Sequence, residues 1–371
     1  MVRPTTCWYN KKVKNNNILP YLDTPEAARQ TDKMDIAGVL ADFPGQFAQA
    51  RADFAKVTLP PSLVQADKII FCGMGGSAIG AEVACTLPPN LKRKPLELVR
   101  DYDLPGWVSK DTAVIVISYS GETAEALACF DQALARAGIV IAVTSGGELA
   151  KRATAAGVPL YKFDYQAPPR DALGYLFAPA IAILAQARVL QTEEADLSAA
   201  IKLLQELSAI YLPQVPTPQN PAKQLAYTLF DHVPIVIGSN ITRAVARRWK
   251  NQFNEHGKTA SWFDELPEAN HNTAEGFTFP VRFKDDAVVI FLESNFDHPK
   301  VVKRQLLWRE HLKRQGVQTE AVAASGADLW SNKLSLIYLG DWASYYLALL
   351  HRIDPAVIST IKELKSKLSA G

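Results

Sequence analysis

A short apolar run that ends in a glycine-rich turn constrains this chain more than any other feature. Lys68–Cys72 (KIIFC) leads straight into Gly73-Met74-Gly75-Gly76-Ser77-Ala78. Apolar runs of roughly four to eight residues bounded by turn signals read as strands buried on both faces. Such strands belong to parallel sheets covered by helices. The same unit recurs downstream. A helix is expected from near Ala78, a second strand at Leu96–Val99 and a third at Ala113–Ser118 (AVIVIS). The polar turn Tyr119–Glu122 then precedes a helix from Thr123, with further strands at Ile139–Val143 and Val158–Tyr161.

Ala172–Leu190 and Leu197–Leu212 read as helices, and Pro213–Pro221 (PQVPTPQNP) as a linker. A second βα series follows: strand Ile235–Ser239, helix Arg243–Phe253, strand Val288–Glu293 and helix Pro299–Gln315. Leu336–Leu350 and Ala356–Leu368 are expected to be helical. The pattern predicts an α/β fold of two doubly wound domains, each a parallel sheet flanked by helices. The first thirty or so residues are polar, Asn-rich and non-periodic. Regular patterning starts at Met34, which could be the true start, with an amphipathic helix over DIAGVLADFPGQFAQARADF.

Composition narrows the function classes. With 371 residues, 48% of them hydrophobic and 21% charged, the chain can bury a large core. Forty Lys and Arg against 38 Asp and Glu give a net charge of +2, which offers no general attraction to nucleic acid or membrane. The four cysteines (Cys7, Cys72, Cys85, Cys129) form no CxxC pair and no zinc-spaced cluster. No apolar run is long enough to span a membrane, and the N-terminus lacks an apolar signal core. A soluble, cytoplasmic protein is the expectation.

The chemistry is sought at the glycine turns. Gly73-x-Gly75-x-x-Ala78 after a strand fits a dinucleotide fingerprint, with Glu97 near the place of a ribose-binding acid. Its physical content is broader, because a glycine turn opening a helix offers backbone N–H groups to any phosphate. A plain tight turn would fit as well. The second constellation, Ser118-Tyr119-Ser120-Gly121-Glu122-Thr123, follows the third strand. In a parallel sheet both turns lie along the same edge. A helix cap needs one hydroxyl, whereas Ser118, Ser120 and Thr123 supply three, which favours a monophosphate site.

GMGGSAIG followed by SYSGET resembles the sugar isomerase (SIS) domain, which binds phosphosugars. Asn251-Gln-Phe-Asn254-Glu255-His256-Gly257-Lys258, Pro267-Glu268-Ala-Asn270-His271-Asn272, Pro169-Arg170 and the ending IDPAVISTIKELK resemble the bifunctional phosphoglucose/phosphomannose isomerases, from about Met34 onward. The resemblance implies an N-terminal extension over 1–33, a first SIS domain with the phosphate loops over 34–165, and a helical and Pro-rich linker over 166–220. A second SIS domain over 221–371 carries the catalytic Glu and the C-terminal helices. It also implies a homodimer with active sites at the interface, a sugar 6-phosphate substrate, and no metal or other cofactor. Gly76, Ser77, Ser118, Ser120 and Thr123 would bind the phosphate. Arg170 would stabilise an enediolate and Glu255 would be the base. His271, supplied by the partner subunit, and Lys365 would handle ring opening, with Lys362 competing for the lysine's place. The chain departs from the family at His256-Gly257, where Asn-Ala is usual, and at Glu122, where Asn is usual.

These roles suit the chemistry. Interconverting an aldose 6-phosphate with fructose 6-phosphate moves a proton between C2 and C1 through a cis-enediol, which one carboxylate above both carbons can do. A fixed cation lowers the barrier to the enediolate, and an imidazole titrates near neutrality. Each residue also has a plainer account: Glu255 as a solvated surface acid, Arg170 paired with Asp171, His271 held by Asn270 or Asn272. Two other functions compete. A non-catalytic SIS module that senses a phosphosugar would usually carry a basic DNA-binding helix, which the first 60 residues lack. An NAD-dependent dehydrogenase would rest on the GMGGSA turn alone.

Overall fold

The computed structural model describes residues 21–191 and 193–369, and these form two compact units. One holds Asp42–Leu204 with Asp328–Ser331. The other holds residues 21–41, Gln205–Ala327 and residues 332–369. Of the expected N-terminal arm, residues 1–20 lie outside the described residues. Residues 21–33 contain the turn Tyr21–Asp23 and the helix Pro25–Thr31. The single helix expected after Met34 is two, Ile36–Ala41 and Phe43–Phe54; Pro44 sits in the first turn of the second, where its fixed φ and missing N–H cost nothing.

The Asp42–Leu204 unit is built on strands β1 (Lys68–Cys72), β2 (Leu96–Val99), β3 (Thr112–Ser118), β4 (Ile139–Thr144) and β5 (Leu160–Lys162). All pair in parallel, in the order β2-β1-β3-β4-β5. Every residue of β3 is buried, as an uninterrupted apolar run requires. The helix Ala124–Arg136 lays Ala126, Cys129, Phe130 and Ala133 on the sheet, the one-sided spacing of an amphipathic helix, against Ile70, Val114 and Val116. The helix Leu173–Gln186 is buried nearly all round and packs on Phe43–Phe54, where Phe47 and Phe177 stand 5.4 Å apart. The register puts Cys72 beside Val116 and Ser118 beside Thr144, so the loops leaving β1, β3 and β4 emerge along one edge.

The second unit repeats the arrangement with β6 (Val233–Gly238), β7 (Trp262–Glu265), β8 (Ala287–Glu293) and β9 (Gln318–Ala323), parallel and ordered β7-β6-β8-β9. The sequence pattern anticipates β6 and β8 but neither edge strand. Its core joins Ile235, Ile237, Val289, Phe291, Trp308 and Leu312. The Pro-rich stretch makes the short turn Thr217–Gln219. Asn220 then caps an unforeseen helix, Pro221–Leu229, by accepting from the N–H groups of Ala222 and Lys223 at 3.1 Å each.

The helix Arg243–Glu255 is fastened to the long helix Leu329–Leu350. The Trp249 indole donates to Leu336 O at 2.8 Å, and Arg248 meets Asp341 at 2.7 Å with both side chains buried. Gly340 makes room for this crossing: a Cβ there would lie 2.2 Å from the Trp249 indole nitrogen. A final helix spans Ser359–Ser369. Among the described residues no helix is long and apolar enough to cross a membrane.

Candidate active site

The loops after β1 and β3 meet. Ser77 sits in the first turn of the helix Gly75–Cys85, and its hydroxyl accepts the N–H of Tyr119 at 2.9 Å. Ser118, fully buried at the end of β3, donates to Thr123 Oγ1 at 3.0 Å and accepts from Gly121 N at 3.1 Å. Ser120 is exposed and accepts from Glu122 N at 3.2 Å. Ser77, Ser120 and Thr123 therefore each accept a bond, while among the described residues none donates its own proton. A hydroxyl can do both, so among the described residues three O–H donors remain without an acceptor.

The backbone adds to this. The helices Gly75–Cys85 and Ala124–Arg136 both begin here, and neither is capped by a side chain; Thr123 stands at the cap position without bonding the helix. Their first-turn N–H groups and positive dipole ends favour an anion. Gly75 takes φ +50° and Gly121 +71°, and a Cβ on Gly121 would strike Gly146 O at 2.0 Å.

The acidic Glu122 has its own employment. Its carboxylate accepts the N–H of Glu148 at 2.9 Å, at the start of the next helix, Gly147–Ala155. The acid that departs from the family pattern thus serves a helix N-terminus.

Arg170 lies in the same unit, in the turn Pro169–Asp171, and is 3% exposed. The turn presses on the β1 loop: a Cβ on Gly76 would lie 2.7 Å from Arg170 N and 2.8 Å from Pro169 C. The pairing with Asp171 is present at 3.6 Å, an ion pair longer than a hydrogen bond. Gly76, Ser77, Ser118, Ser120, Thr123 and Arg170 thus gather around one pair of loops.

The other expected residues belong to the second unit. Glu255 is the last residue of its helix and half-buried, not beyond the helix as the sequence reading has it. Lys258, at φ +50°, folds back over that helix end. Its ammonium donates to Glu255 O at 2.7 Å, His256 O at 3.3 Å, Asp354 O at 3.0 Å and Pro355 O at 3.4 Å. A cation at a helix C-terminus also meets the negative end of the dipole. His256 is buried, with Nδ1 3.0 Å from Ser344 Oγ, and His351 Nδ1 lies 2.9 Å from Gly257 O.

His271 is exposed on the short turn Glu268–His271. The flanking amides are engaged elsewhere, Asn270 with Arg304 and Asn272 with Glu268 and Thr273. Among the described residues neither holds the imidazole. Lys362 and Lys365 are both exposed on the helix Ser359–Ser369. Sequence reasoning did not single out Tyr119, Lys258 or the buried Gln46, whose partners lie far along the chain. Among the described residues no three His, Cys, Asp or Glu side chains are grouped to hold a metal ion.

Residues 62–192 match the SIS domain family, and residues 218–368 match the bacterial phospho-glucose isomerase C-terminal SIS domain. A bifunctional phosphoglucose/phosphomannose isomerase of Caldicellulosiruptor bescii is 33% identical over 304 residues, which is 82% of this chain and 90% of that one. Its counterpart from Aquifex aeolicus is 31% identical over 301 residues, 81% and 90% of the two chains. Among solved structures, the C-terminal domain of a glucosamine-fructose-6-phosphate aminotransferase from Francisella tularensis superposes with a TM-score of 0.70 at 12% identity. That match covers 88% of this chain and 98% of that one, and it speaks for the fold alone.

Proposed function

This chain belongs to the bifunctional phosphoglucose/phosphomannose isomerase family, and from that premise we propose that it interconverts glucose 6-phosphate and mannose 6-phosphate with fructose 6-phosphate. The observation that carries the reading is the set of three hydroxyls, Ser77, Ser120 and Thr123, that among the described residues accept but do not donate, beside two helix N-termini. A phosphate dianion needs donors only, and this loop pair offers donors.

In this mechanism the phosphate accepts hydrogen bonds from the hydroxyls of Ser77, Ser120 and Thr123 and from the N–H of Gly76. Ser118 orients Thr123 through its 3.0 Å bond. His271 and Lys365 move the proton between O1 and O5 that opens the sugar ring. Glu255 takes the C2 proton of the aldose and returns it to C1, and Arg170 balances the charge that develops on O1 and O2. The two aldoses differ only at C2 and share one enediol, so one base serves both when it sits on a mobile loop or the bound sugar rotates to bring either C2–H to its face. The protein works as a homodimer in which His271 reaches the partner's site, in the cytoplasm, with residues 34–165 binding the phosphate and residues 221–371 carrying the base.

The test is isomerisation of each aldose by the purified protein and by Glu255→Gln, with exchange of the C1 proton of fructose 6-phosphate in heavy water followed by NMR. Loss of a general base costs about 10²–10⁴ in rate. The variant should lose both aldose activities and the exchange together, with KM little changed. Exchange at the wild-type rate would remove Glu255 from the mechanism.

A further inference from the structure

The segment from Phe163 to Asp171 forms a strap that delivers Arg170 to the phosphate loops, and two side chains outside the turn hold it. Tyr119, inside the SYSGET loop, donates its phenol O–H to Tyr165 O and accepts the N–H of Ala167 at 3.2 Å. Its own backbone N–H is on Ser77, and its carbonyl accepts Ser145 Oγ at 2.7 Å. One residue therefore ties both phosphate loops to the strap. From the other side comes Gln46, a buried amide on the helix Phe43–Phe54. Its Nε2 donates to Tyr165 Oη and to Asp171 O, each at 3.0 Å, and its Oε1 accepts Gly174 N at 3.3 Å. Asp42 Oδ2 accepts the Tyr165 hydroxyl at 3.0 Å. Burial pushes the Tyr119 phenol above its usual pKa, so it remains a donor through the neutral range.

We propose that Tyr119 is a positioning residue that couples the phosphate loops to Arg170, with Gln46 as the rear support of the same strap. Occupation of the loops by phosphate fixes Tyr119, Tyr119 fixes the strap, and the strap fixes the guanidinium. Binding energy from the remote phosphate is thereby used at the reacting carbons, the route by which non-reacting groups raise kcat. This rests on the isomerase reading and on the role of Arg170 within it.

The experiment is a double-mutant cycle on the full chain with fructose 6-phosphate, using Tyr119→Phe, Arg170→Met and the pair. Tyr119→Phe keeps the ring and removes only the two strap bonds. It should lower kcat about tenfold, since sub-ångström misplacement of a catalytic group costs one to two decades, with KM and protection by inorganic phosphate in thermal melts within about twofold of wild type. In the Arg170→Met background the same change should cost less than about twofold, because residues acting through one another are not additive.

Equal losses in both backgrounds, a rise in KM at unchanged kcat, or full activity of Tyr119→Phe would each overturn the coupling. Gln46→Glu supplies a second readout: it replaces the donor that faces Asp171 O and should also lower kcat more than it raises KM. A wild-type protein that does not isomerise fructose 6-phosphate, or an Arg170→Met variant at wild-type kcat, would instead overturn the underlying reading.

Discussion

Gly76→Ala is a one-carbon perturbation whose consequence follows from the geometry. The added Cβ would lie 2.7 Å from Arg170 N, 2.8 Å from Pro169 C and 2.9 Å from Arg170 Cα. Comfortable contacts between such atoms lie near 3.5–4.0 Å, so the strap must recede by roughly 0.5–1 Å. All three obstructing atoms are backbone, and no change of rotamer relieves them. Overpacking of this kind costs about 1–3 kcal/mol, which lowers Tm by about 2–4 °C per kcal/mol for a unit of this size. The chemistry should suffer more, because a displacement near 1 Å in a catalytic array costs up to about 10²-fold. The expected kcat is about 10- to 100-fold below wild type, with a smaller change in KM because the hydroxyl donors remain. The assay is steady-state isomerisation of fructose 6-phosphate beside a thermal melt. A folded Gly76→Ala protein with wild-type kcat would refute the claim that contact between Gly76 and the Arg170 turn matters to the reaction.

Three further outcomes are expected. Ser120→Ala and Thr123→Val each remove a hydroxyl that the proposed mechanism gives to the phosphate, and should raise KM several-fold while kcat falls less; wild-type KM in both would reduce the loop to a structural turn. Mixing inactive Glu255→Gln with inactive His271→Ala should restore part of the activity, since a mixed dimer holds one site with both residues; no recovery under demonstrated subunit exchange would refute the shared site. Asp297 has its pKa raised above 3.8, first of all by burial. Its ionised form is therefore disfavoured in the fold, and the native state loses stability as pH climbs from the unfolded value through the folded one. Asp297→Asn keeps an acceptor for the Ser294 N–H, bonded at 3.1 Å. Its Tm advantage should be present at pH 7 and shrink as pH falls toward 4, and a pH-independent difference in Tm would disprove the linkage.

What could be read from the residues was whatever short-range pattern encodes. KIIFC and AVIVIS are buried almost throughout, so their continuous apolarity marked them as interior parallel strands. The edge strands of the second sheet, β7 and β9, were invisible for the complementary reason. Trp262–Glu265 is WFDE, half acid and with Trp262 55% exposed, and Gln318–Ala323 mixes polar and small residues along a rim. The two loops proposed to hold the phosphate were legible because each is one turn with its own helix. The fastenings of Arg170 were not: they join residues 46, 119 and 125 positions apart, and no local spacing announces them. Glu122 looked like a misplaced acid in the loop, and only the approach of the next helix gives it a partner.

The ammonium of Lys258 gives the second unit an order of assembly as well as a shape. Among its acceptors, Glu255 O and His256 O are near neighbours, whereas Asp354 O and Pro355 O come 96 and 97 residues later. A ribosome adds roughly 5–20 residues per second, so several seconds of synthesis separate the helix that ends in Glu255 from the carbonyls that complete its clasp. The end of the helix that bears the proposed base is therefore among the last features of its unit to be secured during translation, and a nascent chain stalled before residue 354 would carry Glu255 on an unfinished terminus.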